Sequence, residues 1–379
     1  MVGSTGIPIL TTAAIRAVEH ELASSIPTVI SFVWELGLPL PAGTGGSENY
    51  TIGHVRELNR RGISAQIVTV AAGVDDGRDE FDDIPFRALG SVAEVAELDG
   101  TVLFVTEFPA VQTRNPAYQF LHIPPPLRDG ERRRIAAQTR GRTLIATSRF
   151  GARLWSKFLD ADGIHVVYPF AERCFGEQVR PSRSSSAVSI LYAGRLSPEK
   201  GIYTFMEMLH NDLIVASGLD LTFAATTAGA DKPQGRIIHG LVEAHPGIQL
   251  VPARRSPAAM ADLMSHYDIV VMPSNGQYWH ETFGIVSIEA QHTGCRVVAS
   301  DDGGLPETDC GLVTFVDPDN AEALALGIRA AVAEGRVTPM ERSNALGRFT
   351  VEQSVDGLLA LIAPAPARSM PGLIPVSTH

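Results

Sequence analysis

"HETFGIVSIEAQHTGCRVVAS" (residues 280–300) reads as one helix and one strand set end to end. Thr282 is placed to cap a helix beginning near Phe283, and Gly294 to end it. "CRVVAS" (295–300) is short, apolar and β-branched, as a buried strand requires. The same unit recurs upstream. "VSILYAG" (188–194), "LTFAAT" (221–226) and "DIVVMPS" (268–274) are strands with helical stretches between them. Before a polar run, "GEQVRPSRSSSA" (176–187), the pattern has already run once. There, "PTVISFVW" (27–34), "SAQIVTVA" (64–71), "TVLFVT" (101–106), "YQFLHI" (118–123) and "RTLIAT" (142–147) are strands, and "SENYTIGHVRELNRRG" (47–62) and "RFGARLWSKFLDADG" (149–163) are helices. Strands alternating with helices build parallel sheets covered on both faces. The expected fold is α/β, with two doubly wound Rossmann-like domains facing a central cleft. The expected division is residues 1–180, residues 188–350, and a C-terminal helix and disordered tail over 351–379. Open sheets of this kind bind ligands beyond the carboxyl ends of their strands, so the cleft is the expected site.

Composition narrows the function. The chain has 379 residues, room for two cores, with 45% hydrophobic and 19% charged residues. A net charge of −11 speaks against nucleic acid as a partner. A small anion held by local cations stays compatible with it. Cys174, Cys295 and Cys310 form no metal-ligand pair, so no zinc site or disulfide framework follows. No apolar run reaches membrane-spanning length, and Glu19 and Glu21 interrupt the N-terminal stretch. A cytoplasmic protein is expected. The basic run "ERRRIAAQTRGR" (131–142) reads as a solvated helix face in preference to a membrane contact.

Three constellations could carry chemistry. In "LPAGTGGSENYTIGHV" (40–55), Gly43, Gly45 and Gly46 precede a helix whose N-terminus favours an anion, although glycines are common in such loops for structural reasons alone. In "YAGRLSPEKG" (192–201), Arg195 and Lys200 follow Gly194 between a strand and a helix; they suit a diphosphate, or else cap a surface loop. In the opening stretch, a helix running from Glu281 would bring Glu289 to within about 80° of Glu281 and roughly 12 Å along the axis. Two acceptors so placed suit the two hydroxyl-bearing ends of a nucleotide-sugar, with its diphosphate on the backbone N–H groups from Gly284 to Val286. The bland alternative makes Glu289 a polar-face residue.

"GRLSPEKG" and "ETFGIVSIEAQHTGCRVVASDDGGLPE", followed by "GLVTFVDPDNAEALA", resemble the retaining nucleotide-sugar glycosyltransferases of family 4, which have the GT-B fold. "PAGTGGSENYTIGHVRELNRRG" resembles the family's first glycine-rich loop and helix. The resemblance implies that Arg195 and Lys200 bind the donor diphosphate, Glu281 the donor sugar and Glu289 the ribose. Phe283, Gly284 and Ile285 would lie on the donor, with the last two offering backbone N–H groups. Gly46 would lie near the diphosphate, and His122 would be the active-site histidine. The C-terminal helix would cross back to the first domain. "YPFAE" (168–172) and "VPARRS" (251–256) depart from the family pattern, which leaves the nucleobase open.

The resemblance thus implies transfer of a sugar from an NDP-sugar (UDP- or GDP-linked) co-substrate to a hydroxylated acceptor, small or lipid-linked. No metal and no other cofactor are expected, because no Asp-x-Asp stands in the context a metal would need. The residues offer no motif for an acceptor base; Glu107 is the one candidate. An epimerase or phosphorylase on the same fold, and a non-catalytic nucleotide-sugar-binding subunit, are the alternatives.

Overall fold

The structure, a computed structural model, describes residues 29–40, 45–72, 82–126, 128–181 and 186–362. Gly43, part of the 176–187 linker and the tail after Pro364 lie outside these residues. In the first domain the strands are β1 (Ile30–Leu36), β2 (Ala65–Val70), β3 (Phe86–Leu89), β4 (Thr101–Phe104), β5 (Ala117–Leu121), β6 (Thr143–Ala146) and β7 (His165–Val166). They pair in parallel in the order β3-β2-β1-β4-β5-β6-β7. The second domain contains β8 (Val188–Tyr192), β9 (Leu221–Thr226), β10 (Ile248–Val251), β11 (Ile269–Met272), β12 (Arg296–Ser300) and β13 (Val313–Val316). Their order is β10-β9-β8-β11-β12-β13, again parallel. Both sheets reverse direction beside their first strand, at β1/β4 and β8/β11. That is where doubly wound sheets open a crevice.

The strands are continuous apolar runs because both faces are covered. Ile30, Phe32, Ile67, Leu103 and Phe120 face one helical layer, and Val33, Val68, Val102 and Phe104 the other. Two further apolar clusters flank the second sheet. The C-terminal helix Val351–Ile362 buries Val351, Val355, Leu358 and Ile362, one stripe at helical spacing, in the first domain's core. The expected crossing back is therefore present. Arg61, the C-cap of helix Gly46–Arg60, secures it by pairing with Asp356 at 2.5 Å.

Three readings need correction. Helix Ile285–Thr293 begins two residues later than expected, and its N-cap is Gly284 at φ 93°, not Thr282. Glu281 is consequently outside the helix, so the 80° relation to Glu289 does not exist. Gly294, at φ 90°, does end the helix. The described part of the linker is tied to the second domain: Arg180 donates to the carbonyls of Gly294 (2.6 Å) and Tyr267 (2.5 Å), and Gly176 O accepts from Arg342 at 3.0 Å. Finally, Arg142 in the basic run turns inward. Its guanidinium lies 3.9 Å from the Phe104 ring centroid and donates to Gln119 Oε1 at 2.8 Å. The rest of helix Asp129–Gln138 is largely solvated, with Ile135 buried.

Candidate active site

The carboxyl ends of the two sheets face each other across a cleft of about 570 Å³. Gly46 and His122 line it from the first domain. Arg195, Lys200, Glu281, Phe283, Gly284, Ile285 and Glu289 line it from the second. Residues up to 243 positions apart in the sequence thus share one site. The domains approach closely: a Cβ on Gly46 would stand 3.8 Å from Ile285 Cγ2.

The loop after β8 is held by its backbone. Leu196 N donates to Ala228 O (2.8 Å), Thr226 Oγ1 to Gly194 O (3.1 Å) and Tyr192 Oη to Arg195 O (2.7 Å). Ser197 ends the extended segment, and Pro198 opens a single 3₁₀ turn, Pro198–Lys200. Gly201, at φ 71°, passes so close to Pro273 that a Cβ would strike its carbonyl. Two cations leave this rigid loop. Lys200 pairs with Glu281. Arg195 is 63% exposed and, among the described residues, its guanidinium makes a single 3.3 Å contact, to Glu199, so it is available to a ligand. An ammonium has three donors, and Lys200 can meet a phosphate oxygen while it keeps Glu281.

Glu281 is positioned by backbone. Its carbonyl accepts from Gly304 N at 2.7 Å, and Gly303 and Gly304 pack against residues 281–283 with no room for a Cβ. Thr282 then reaches into the first domain. Its Oγ1 donates to His122 O (2.7 Å), and its carbonyl accepts from Ser148 Oγ (2.5 Å). The side chain expected to cap a helix instead joins the domains. Glu289 is 5% exposed. Burial first, and the Glu172 charge second, push its carboxyl up to about 8. At neutral pH it is a protonated acid, able to donate as well as accept.

On the opposite wall, the His122 ring stands edge-on to Tyr50, with centroids 5.0 Å apart. Burial, with His54 nearby, pushes its pKa down to about 3, so the imidazole is neutral. Its Nε2 is buried and has no hydrogen-bond partner among the described residues. His54, by contrast, has both ring nitrogens occupied, by Tyr50 O (2.7 Å) and Ser354 Oγ (3.1 Å), and is structural. Thr147, just past β6, also lines the cleft, and its buried Oγ1 has no hydrogen-bond partner among the described residues. Sequence reasoning passed over Thr147; the signal was its place at a strand end beside a helix start. Trp279, 42% exposed at the cleft edge, was passed over too. Glu107 is not among the lining residues; burial and the Glu35 charge raise its carboxyl.

A second cavity, of about 730 Å³, lies at the back of the domain junction between Tyr168, Glu307, Arg348 and Phe349. It contains none of the loops at the β8/β11 crevice, so the cleft is the candidate site.

Residues 187–334 match the family model described as Glycosyl transferases group 1. The chain is similar to a D-inositol 3-phosphate glycosyltransferase of Segniliparus rotundus (29% identity, 45% of this chain, 38% of the relative). It is also similar to one of Paenarthrobacter aurescens (30%, 56% of this chain, 53% of the relative). The chain spans about half the length of the curated relatives it matches. Among solved structures, a glycosyltransferase from Rickettsia africae superposes with TM-score 0.71 at 18% identity, covering 89% of this chain and 98% of that one. Anabaena Alr3699/HepE in complex with UDP-glucose superposes with TM-score 0.65 at 19% identity, covering 88% and 98%. The fold is GT-B. Among the described residues, no helix is long and apolar enough to cross a membrane.

Proposed function

We propose that this chain is a retaining glycosyltransferase of family 4. It moves a sugar from a UDP- or GDP-linked donor to a hydroxyl of a small or lipid-linked acceptor, in the cytoplasm, in natural-product or cell-envelope biosynthesis. The observation that carries this reading is the convergence of Arg195, Lys200, Glu281 and His122 on one interdomain cleft. The family match over the second domain and the UDP-glucose held by a structural neighbour support it.

In this reading the acceptor oxygen attacks the anomeric carbon from the side of the leaving group. The carbon–oxygen bond to the diphosphate breaks, and the departing phosphate oxygen takes the acceptor's proton. Arg195 and Lys200 meet the growing negative charge, which is where preorganised cations lower a barrier most. Glu281 and the neutral His122 hold the sugar's hydroxyls, Gly284 and Ile285 offer backbone N–H groups, and Glu289 meets the ribose. The side chains and the helix N-termini replace a metal ion.

The test is a donor and acceptor screen that reads released nucleotide, followed by NMR of the product's anomeric carbon, all in excess chelator. An α-linked donor should give an α-linked product. Inversion, or activity that needs an added divalent ion, sinks the mechanism. Conversion of donor without acceptor points to an epimerase, and donor binding without any turnover points to a binding subunit.

A further inference from the structure

We propose that Glu307 is a positioning residue that latches the two domains together and thereby sets His122 against the Lys200–Glu281 pair. The role for the chemistry rests on the function proposed above; the latch itself rests on geometry alone. Glu307 belongs to the second domain, in the short 3₁₀ turn Leu305–Thr308 after β12. Its carboxylate accepts three hydrogen bonds, all from the first domain. Arg149 N (2.9 Å) and Phe150 N (2.7 Å) open helix Arg149–Leu159, and Tyr168 Oη donates at 2.8 Å. A carboxylate on two free N–H groups at a helix N-terminus combines charge-assisted hydrogen bonds with the helix dipole. Burial, and then the Glu307 bond, push the Tyr168 phenol up to about 12, so it stays a donor.

The turn that carries Glu307 also sets the site. Gly304 N, three residues earlier, holds Glu281 O, and Thr282 bonds both His122 O and Ser148 Oγ. Ser148 is the N-cap of the helix Glu307 grips, since its Oγ accepts from Gly151 N at 2.9 Å. The loops after β5, β6 and β7 are therefore tied to the loops after β11 and β12 at one place, directly behind His122 and Glu281. The first domain supplies His122 and the second the charged pair, so their separation depends on this junction. Misplacement of about 1 Å at a reacting centre costs about 100-fold in rate.

The experiment compares the full chain with Glu307→Ala, Glu307→Gln and Tyr168→Phe. Four measurements are made: affinity for UDP and for GDP, turnover with the donor and acceptor found in the screen, small-angle scattering, and amide exchange at residues 149–150. The diphosphate cations lie wholly in the second domain, so Glu307→Ala should keep nucleotide affinity within about two-fold of the parent. Turnover should fall at least ten-fold, the scattering radius should grow, and the 149–150 amides should exchange faster. Glu307→Gln keeps an acceptor oxygen and should recover part of the turnover, and Tyr168→Phe should lose less than Glu307→Ala. Parent-like scattering and amide exchange in Glu307→Ala would overturn the latch. A turnover loss matched by an equal loss of nucleotide affinity would overturn the positioning role. If the parent itself binds no nucleotide, the function proposed above fails, and the scattering and exchange results still decide the latch.

Discussion

Lys200 and Glu281 show what one side chain contributes here. Each is half-buried, and each meets the other across 81 positions of sequence. Lys200→Ala leaves Glu281 without its cation and, in the function proposed above, removes one of two charges from the leaving group. Turnover should fall about 10²–10³-fold, and Arg195→Ala should fall comparably, with unfolding midpoints near the parent's. Near-parental kcat in both variants would remove these residues from the mechanism. Titration gives a second prediction. His122 drops from 6.5 to about 3 on folding, so its contribution to stability is complete above pH 6.5 and is lost as pH falls toward 3. Glu289 rises from 4.5 to about 8, so its contribution is complete below pH 4.5 and is lost as pH rises toward 8. The slope for each group is at most about 1.4 kcal/mol per pH unit. In urea unfolding of the ligand-free protein, the stability of the parent relative to Glu289→Gln should decline between pH 4.5 and 8, the opposing His122 slope being common to both proteins. Parallel curves for parent and variant would show that Glu289 is not a buried acid. At this scale the cleft brings together residues that the sequence singled out, among them Gly46, His122, Arg195, Lys200, Glu281 and Glu289. Glu107 does not join them, because a strand-end carboxylate can equally turn toward its own domain.

At the scale of elements, the helix and strand alternation was legible, and the starts of the elements were less so. Both helices that open beside the cleft from the second domain, Ile202–Met208 and Ile285–Thr293, have a left-handed glycine at the N-cap in place of a hydroxyl side chain. Gly284 sits at φ 93°, and a Cβ there would come within 2.5 Å of Leu305 Cδ2. Gly284→Ala should cost about 1–3 kcal/mol in chemical unfolding. Gly201→Ala should cost more, because its Cβ meets a backbone carbonyl that cannot turn aside. A Gly201→Ala protein as stable as the parent would contradict this account of the loop. Strands β3, β7, β10 and β13 escaped the reading because they are short, and several of their residues are exposed at or near sheet edges. An edge strand has no need of a continuous apolar run.

At the scale of the molecule, the chain's last helix stabilises its first domain. Leu358 is fully buried among Tyr50, Val55 and Phe120. Leu358→Ala should cost about 2–5 kcal/mol. If the domains unfold separately, the loss should fall on the transition that reports Trp34 and Trp155, both in the first domain. A shift confined to the second domain would contradict the packing. The sequence by itself determined the class of fold and the chemical types in the site, because apolar periodicity and glycine-flanked charges are local signals that survive without neighbours. Only the tertiary structure decided which charges pair, that Thr282 bridges the domains instead of capping a helix, that His122 is neutral, and that Glu307 grips the opposite domain. Each of these depends on groups far apart in sequence meeting away from water, where burial sets protonation and one hydrogen-bond partner excludes another.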